Sequence, residues 1–225
     1  MQEVIKTSSD YFLGVLRSAF ALYNTHGCRS SKKVDEMHHY IKEQLEIIIH
    51  KNNNGEKYKV KLEKNVPSIN SSGKKKCDIV VYKNDNPYIV FPLKFMMSNY
   101  KQNRNNSWEN LTGEIAHLNW ANKYKEGQGL NDFHIVPINL IFNKVPYLLK
   151  NKKIKNFESI AFESSYEIML NLKKRDMIHD IINYIIDVEH HCAVGEIYDK
   201  CPNFIGLNEK TPFRTFDEIL GKLLQ

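Results

Sequence analysis

The sequence predicts an α/β (α+β) fold in which helices flank a central mixed sheet. Helical spacing of apolar residues fills the first fifty positions, strand spacing replaces it from Tyr58 to Phe95, and one more helix leads into an apolar run ending at Phe142. Ser9 opens a helix through Phe20 and Tyr23. Ser31 caps a second, in which Val34, Met37, Ile41, Leu45 and Ile48 lie on one face. The loop THGCRSSKK separates them, and Asn52 to Gly55 ends the second.

Tyr58, Val60 and Leu62 alternate with charged residues, the pattern of a half-buried strand. The runs Cys77–Tyr82 and Tyr88–Phe95, joined by a Lys-Asn-Asp-Asn-Pro turn, predict a hairpin of strands covered on both faces. A polar stretch, a helix from about Asn106 to Lys125 and a strand from His134 to Phe142 follow. The final third, 151–225, reads as mostly helical, its densest stripe being Ile178, Ile181, Ile182, Ile185 and Ile186.

Length and composition bound the class. A chain of 225 residues, 42% hydrophobic and 26% charged, fits a single domain over 1–225. It has no run of the roughly 18 apolar residues a membrane helix needs, and Glu3 and Asp10 interrupt any signal-peptide core, so no membrane partner is expected. Cys28, Cys77, Cys192 and Cys201 are too scattered for a disulfide framework, which predicts a cytoplasmic location. Between Lys51 and Arg104 twelve Lys and Arg stand against four Asp and Glu, while the remainder carries twenty against twenty-two. Basicity concentrated in one segment favours a polyanion, nucleic acid above all; a solvated lysine-rich face is the alternative.

Asp78 opens one strand of the hairpin and Lys94 closes the other, so pairing across the turn brings a carboxylate and an ammonium to one end of the sheet. Metal-dependent phosphodiesterases use such a pair: the carboxylate holds a hard cation and the lysine orients or deprotonates the attacking water. A structural ion pair is the other reading. Lys74, Lys75 and Lys76 precede Asp78 as phosphate contacts. The stretch Ser98 to Asn110 is rich in groups that read bases or hold phosphate: Asn99, Tyr100, Lys101, Gln102, Asn103, Arg104, Asn105 and Asn106. It reads equally as a polar loop capping the next helix.

Helix, strand, GKKKCDIVVYKNDNPYIVFPLKF, helix and strand together resemble the PD-(D/E)xK nuclease superfamily over about 31–143, in particular the type II restriction endonucleases. Asp78 matches the aspartate of the motif and Lys94 its lysine, whereas Pro92 stands where the second carboxylate is expected. The resemblance implies a restriction-endonuclease-like core with helical N- and C-terminal additions, acting as a Mg²⁺-dependent endonuclease on duplex DNA, as a homodimer beside a cognate DNA methyltransferase. Some restriction enzymes supply the missing carboxylate from the following helix. There Trp108, Leu111, Ile115 and Leu118 form one arc; Glu114 lies about 70° from its centre and Glu109 about 150° away, which favours Glu114 as the ligand and leaves Glu109 as the fallback. The Leu93 carbonyl would complete the metal shell, and Glu63 and Glu36 are lesser acidic candidates.

His190, His191, Cys192 and Cys201 match no closed zinc spacing, and Cys28 near His26 lacks a third partner for nucleophilic catalysis. Neither a P-loop nor a dinucleotide fingerprint is present. The competing class is a DNA-binding protein of the same fold without catalysis, which Pro92 favours.

Overall fold

The computed structural model describes residues 9–27, 31–52, 55–69, 71–123 and 133–207, together with Glu218 and Lys222; Cys28 lies outside them. The fold is mixed α/β. Helices α1 (Ser9–His26) and α2 (Lys32–Lys51) come first, then strands β1 (Tyr58–Pro67), β2 (Lys74–Lys83), β3 (Asn86–Phe91) and β4 (Leu93–Met96). Helix α3 (Tyr100–Lys123) leads to β5 (His134–Ile135), β6 (Ile138–Phe142), β7 (Lys144–Leu148) and β8 (Ile154–Ser159), and α4 (Phe162–Lys174) precedes β9 (Ile182–Glu189) and β10 (Asn203–Leu207).

Two four-stranded ladders, β1-β2-β3-β5 and β10-β9-β6-β4, form the centre. They are continuous, because β3 runs through Pro92 into β4 and β5 through Pro137 into β6. Val136 N–H donates to the Val90 carbonyl at 2.9 Å and Ile138 N–H to the Pro92 carbonyl at 2.8 Å, so pairing crosses both breaks. Pro92 lacks an N–H for β2, and at that point β2 gives way: its final pair with β3 is Ile79 with Phe91. The β1-β2-β3 meander is antiparallel, β3-β5, β4-β6 and β6-β9 are parallel, and β9-β10 is antiparallel.

Local chemistry accounts for the elements. Met37, Ile41, Leu45 and Ile48 are buried along α2 as their spacing predicts, and Asn52 closes the helix by donating its Nδ2 to the Ile48 carbonyl at 3.0 Å. Ser31 stands before the helix but makes no side-chain cap, its carbonyl serving the first turn instead. The β2–β3 turn has positive φ at both Asn84 (50°) and Asp85 (62°), the combination a two-residue hairpin needs. The sheet is covered on both faces: Ile79, Val81, Ile89 and Phe91 pack with α1 and α2, whereas Val80, Val90 and Ile135 pack with Leu111, Ile115 and Leu118 of α3 and Met169 and Leu172 of α4.

Three expectations are corrected. Within the described part of 151–225 there is a single long helix, α4; three strands, β8, β9 and β10, lie among turns and irregular segments, and the isoleucine run belongs largely to β9. That strand is buried on both faces, with Tyr184 and Asp187 less buried, so its three-residue spacing imitates a helix. The polar stretch before α3 is not a loop: the helix begins at Tyr100, six residues early. Asn99 takes φ 54°, its side chain bonds both polar groups of Leu148, and Glu158 accepts the Lys101 N–H at 3.0 Å, which supplies the cap from distant β7 and β8. The β7–β8 hairpin itself lacks the alternation that announces a strand.

Candidate active site

The site forms where β1 and β2 change face. Residues of equal parity in a strand share a face, yet Val60 packs with α1 and α2 while Val66 packs beneath α3, and Cys77 lies on the α3 side while Ile79 and Val81 lie opposite. The change falls at Glu63 and Asp78, which stand opposite each other between the pairs Leu62–Ile79 and Lys64–Cys77 and are left out of the ladder. Glu63 takes φ 51°, a conformation rarely held by a side chain with a Cβ and concentrated at functional sites. Asp78 is thereby released from strict alternation and comes within electrostatic reach of both helical layers.

Asp78 Oδ2 accepts the Leu93 N–H at 2.9 Å, replacing the ladder bond lost where β2 parts from Pro92. In an extended strand a residue's N–H and C=O point to the same side. By that rule the Leu93 carbonyl shares the edge of β4 on which its N–H meets Asp78. The next residue, Lys94, places its Nζ 3.8 Å from Glu114 Oε2, and Lys75 places its Nζ 3.8 Å from Oε1 of the same carboxylate. Glu114 is 12% exposed in its side chain. Burial pushes its carboxyl upward, against the pull of Lys94 and Lys75, and the charge of Asp78 pushes the same way as burial.

Asp78, Leu93, Lys94 and Glu114 thus come together, with Lys75 added to them. Glu109 is exposed on the outer side of α3. Glu36 lines a separate groove of about 300 Å³ between α1 and α2, with Tyr11, Tyr40, Glu43 and Glu46, and is not part of the cluster. Glu63 is engaged by Lys76 at 2.5 Å, which holds its carboxyl low. The three lysines therefore differ: Lys75 enters the site, Lys76 pairs across the strands, and Lys74 is exposed at the strand start.

The expected base-reading stretch divides likewise. Tyr100 is 2% exposed and donates its hydroxyl to the Ser164 carbonyl at 3.3 Å, so it is a core residue and not a DNA contact. Asn99 is committed to Leu148, and Arg104 lies over the Trp108 ring at 4.8 Å. Lys101, Gln102, Asn103, Asn105 and Asn106 are exposed on the first turns of α3.

His38 is the residue that sequence reasoning missed. It is 6% exposed on α2, its Nε2 has no hydrogen-bond partner, and it lines a groove of about 360 Å³ with Asp35, His39, Leu62 and Glu63. Burial lowers its pKa, while Asp78, Asp35 and Glu63 act in the opposite direction. A histidine on the apolar arc of α2 was the only signal available. Burial drives the Cys77 thiol up to about 12, helped by Glu114, so Cys77 is packing and not a nucleophile. Far from the site, both ring nitrogens of His190 are occupied, by the Lys144 carbonyl at 2.7 Å and the Tyr198 hydroxyl at 3.3 Å.

The donor set suits a small hard cation. It consists of two carboxylates and a carbonyl, all oxygen, and Mg²⁺ asks for only one or two carboxylates besides water and phosphate. An ionised Glu114, disfavoured by burial even between two lysines, gains from a further positive charge. Among the described residues no group of three or more His, Cys, Asp or Glu is placed to hold a metal by itself. Compared with known proteins, the chain matches no family model and no curated protein.

Proposed function

We propose that the chain is a Mg²⁺-dependent endonuclease hydrolysing phosphodiester bonds of duplex DNA, in the manner of a type II restriction enzyme. The observation that carries this reading is the convergence of Asp78, Lys94 and Glu114, from three separate elements, on the point where the sheet pairing fails. Asp78, Glu114 and the Leu93 carbonyl would hold the cation, which when bound supplies charge neutralisation at the scissile phosphate. Lys94 orients the attacking water and takes part in its deprotonation. Lys75, on the other oxygen of Glu114, offers a second ammonium to the phosphate. Exposed side chains on the first turns of α3 hold the duplex. Action as a homodimer in the cytoplasm, beside a methyltransferase that protects the host's own sites, belongs to the same proposal.

The test is incubation of the purified protein with unmethylated plasmid and phage DNA, in Mg²⁺ or in chelator. The expected result is discrete Mg²⁺-dependent fragments, lost in Asp78→Ala, Lys94→Ala and Glu114→Ala and retained in Glu109→Ala. A second reading, a DNA-binding protein that has lost catalysis, is favoured by Pro92 and by the small number of metal-ligating side chains. Binding without cleavage by the wild type under every divalent cation would establish it.

A further inference from the structure

A second strongly charged surface lies outside the basic segment already described. From Lys144 to Lys155 the chain carries Lys144, Lys150, Lys152, Lys153 and Lys155 and no acidic residue. The structure folds this stretch into the β7–β8 hairpin, with all five lysines exposed. Two lie over aromatic rings of the same hairpin, Lys144 over Phe157 at 5.0 Å and Lys155 over Tyr147 at 5.3 Å. Among the described residues no carboxylate pairs with any of the five, whereas Lys42, Lys59, Lys76 and Lys173 are each matched by an acid.

The hairpin is fixed to the helix of the candidate site. Asn99 donates its backbone N–H to the Pro146 carbonyl at 2.9 Å and its Nδ2 to the Leu148 carbonyl at 3.3 Å, and accepts the Leu148 N–H on Oδ1 at 2.6 Å. From β8, the Glu158 carboxylate accepts the Lys101 N–H, so the one acid of the hairpin is spent on the helix end and is 6% exposed. What remains outward is positive, and it continues onto Lys101 at the start of α3. Thirteen residues separate Lys101 from Glu114 in the sequence, or about 20 Å along the helix. That span corresponds to roughly six base pairs of duplex at ~3.4 Å each.

We infer that the β7–β8 hairpin is a second contact for the DNA backbone, gripping phosphates of the duplex several base pairs from the bond that is cut. Unpaired, exposed lysines on a rigid hairpin suit phosphate binding because no counter-charge must be broken first, and the aromatic rings beneath two of them limit the side-chain freedom lost on binding. This inference rests on the proposed action on DNA. The contact is independent of sequence and adds affinity, not base recognition.

The experiment measures binding of a fluorescent DNA duplex in chelator, across about 50 to 200 mM salt, for the wild type, for Lys150→Gln/Lys153→Gln/Lys155→Gln, and for the same three positions changed to Arg. Lys152 is left alone, since its backbone is left-handed (φ 63°) and its Nζ donates to the Asn24 carbonyl. The expected result is a salt slope reduced by about 0.9 for each contacting lysine, up to about 2.7 in the glutamine variant, and retained in the arginine variant. A wild type that binds with slope equal to the glutamine variant overturns the hairpin contact alone. A wild type that binds no duplex DNA, or that prefers duplex RNA, overturns the proposed function with it.

Discussion

On its α3 side Asp78 faces a net positive cluster, one carboxylate set between two ammonium groups, whereas on its α2 side it faces a buried imidazole among acids. Lys75 and Lys94 stand 3.8 Å from the two oxygens of Glu114. His38, by contrast, shares its groove with Asp35 and Glu63, and its Nε2 is unpartnered. The first wall attracts phosphate and the second repels it. Under the proposed function a duplex is expected to approach along α3, the helix to which the β7–β8 hairpin is also fixed, rather than over α2.

The comparison is broken most severely at the residue the two walls share. Asp78→Asn keeps an oxygen that can accept the Leu93 N–H, so the fold should survive while the charge is lost. A reduction of cleavage by about 10³-fold or more is expected, with Lys94→Ala following at about 10²- to 10⁴-fold. Circular dichroism and melting should match the wild type. A shared collapse of fold and activity in Asp78→Asn would instead make the Asp78–Leu93 bond structural.

The next test separates two lysines only one residue apart. The cluster holds two carboxylates, Asp78 and Glu114, and two ammonium groups, Lys75 and Lys94. Lys75→Gln removes a cation that competes for Glu114, so terbium or manganese titration should show binding tightened several-fold, while maximal cleavage falls through the lost phosphate contact. Lys76→Gln lies on an exposed pair with Glu63 and should leave metal binding unchanged. Equal metal affinity in both variants would show that Lys75 does not act on Glu114.

What the sequence made legible follows from how locally each feature is determined. Glu114 was placed by the 100° periodicity of one helix, and the strands bearing Asp78 and Lys94 by a hairpin whose turn is written in Asn84, Asp85 and Pro87. The start of α3 was not legible, because its cap comes from Glu158 and its stop from Leu148, some fifty residues later. Strand β9 was misread for another reason. Burial on both faces removes the alternation that identifies a strand, and Ile182, Ile185 and Ile186 then satisfy a helical spacing by accident. His38 stayed hidden because periodicity reports burial and not what a buried group faces: the change of face at Glu63 and Asp78 is a property of two strands paired with each other.

The smallest expected effect concerns that imidazole, and it is one of stability. A buried polar atom without a partner costs about 1–3 kcal/mol, so His38→Leu is expected to raise stability by about 1 kcal/mol, or about 2–4 °C in Tm for a domain of this size. The pH dependence fixes the cause. Burial holds His38 below the ordinary 6.5 of a histidine, so below that pH the unfolded chain binds a proton that the folded one resists. Its contribution is present in full above pH 6.5 and declines as pH falls through the lowered native value. Thermal melts from pH 7.5 downward should show wild-type stability falling on the acid side, and a shallower fall in His38→Leu. Because Asp78, Asp35 and Glu63 draw the pKa back up, the difference between the two curves measures how far the acidic wall compensates for burial. A variant that melts lower than the wild type at every pH would show instead that the imidazole is satisfied where it stands, and the contrast between the two walls of Asp78 would then lose its basis.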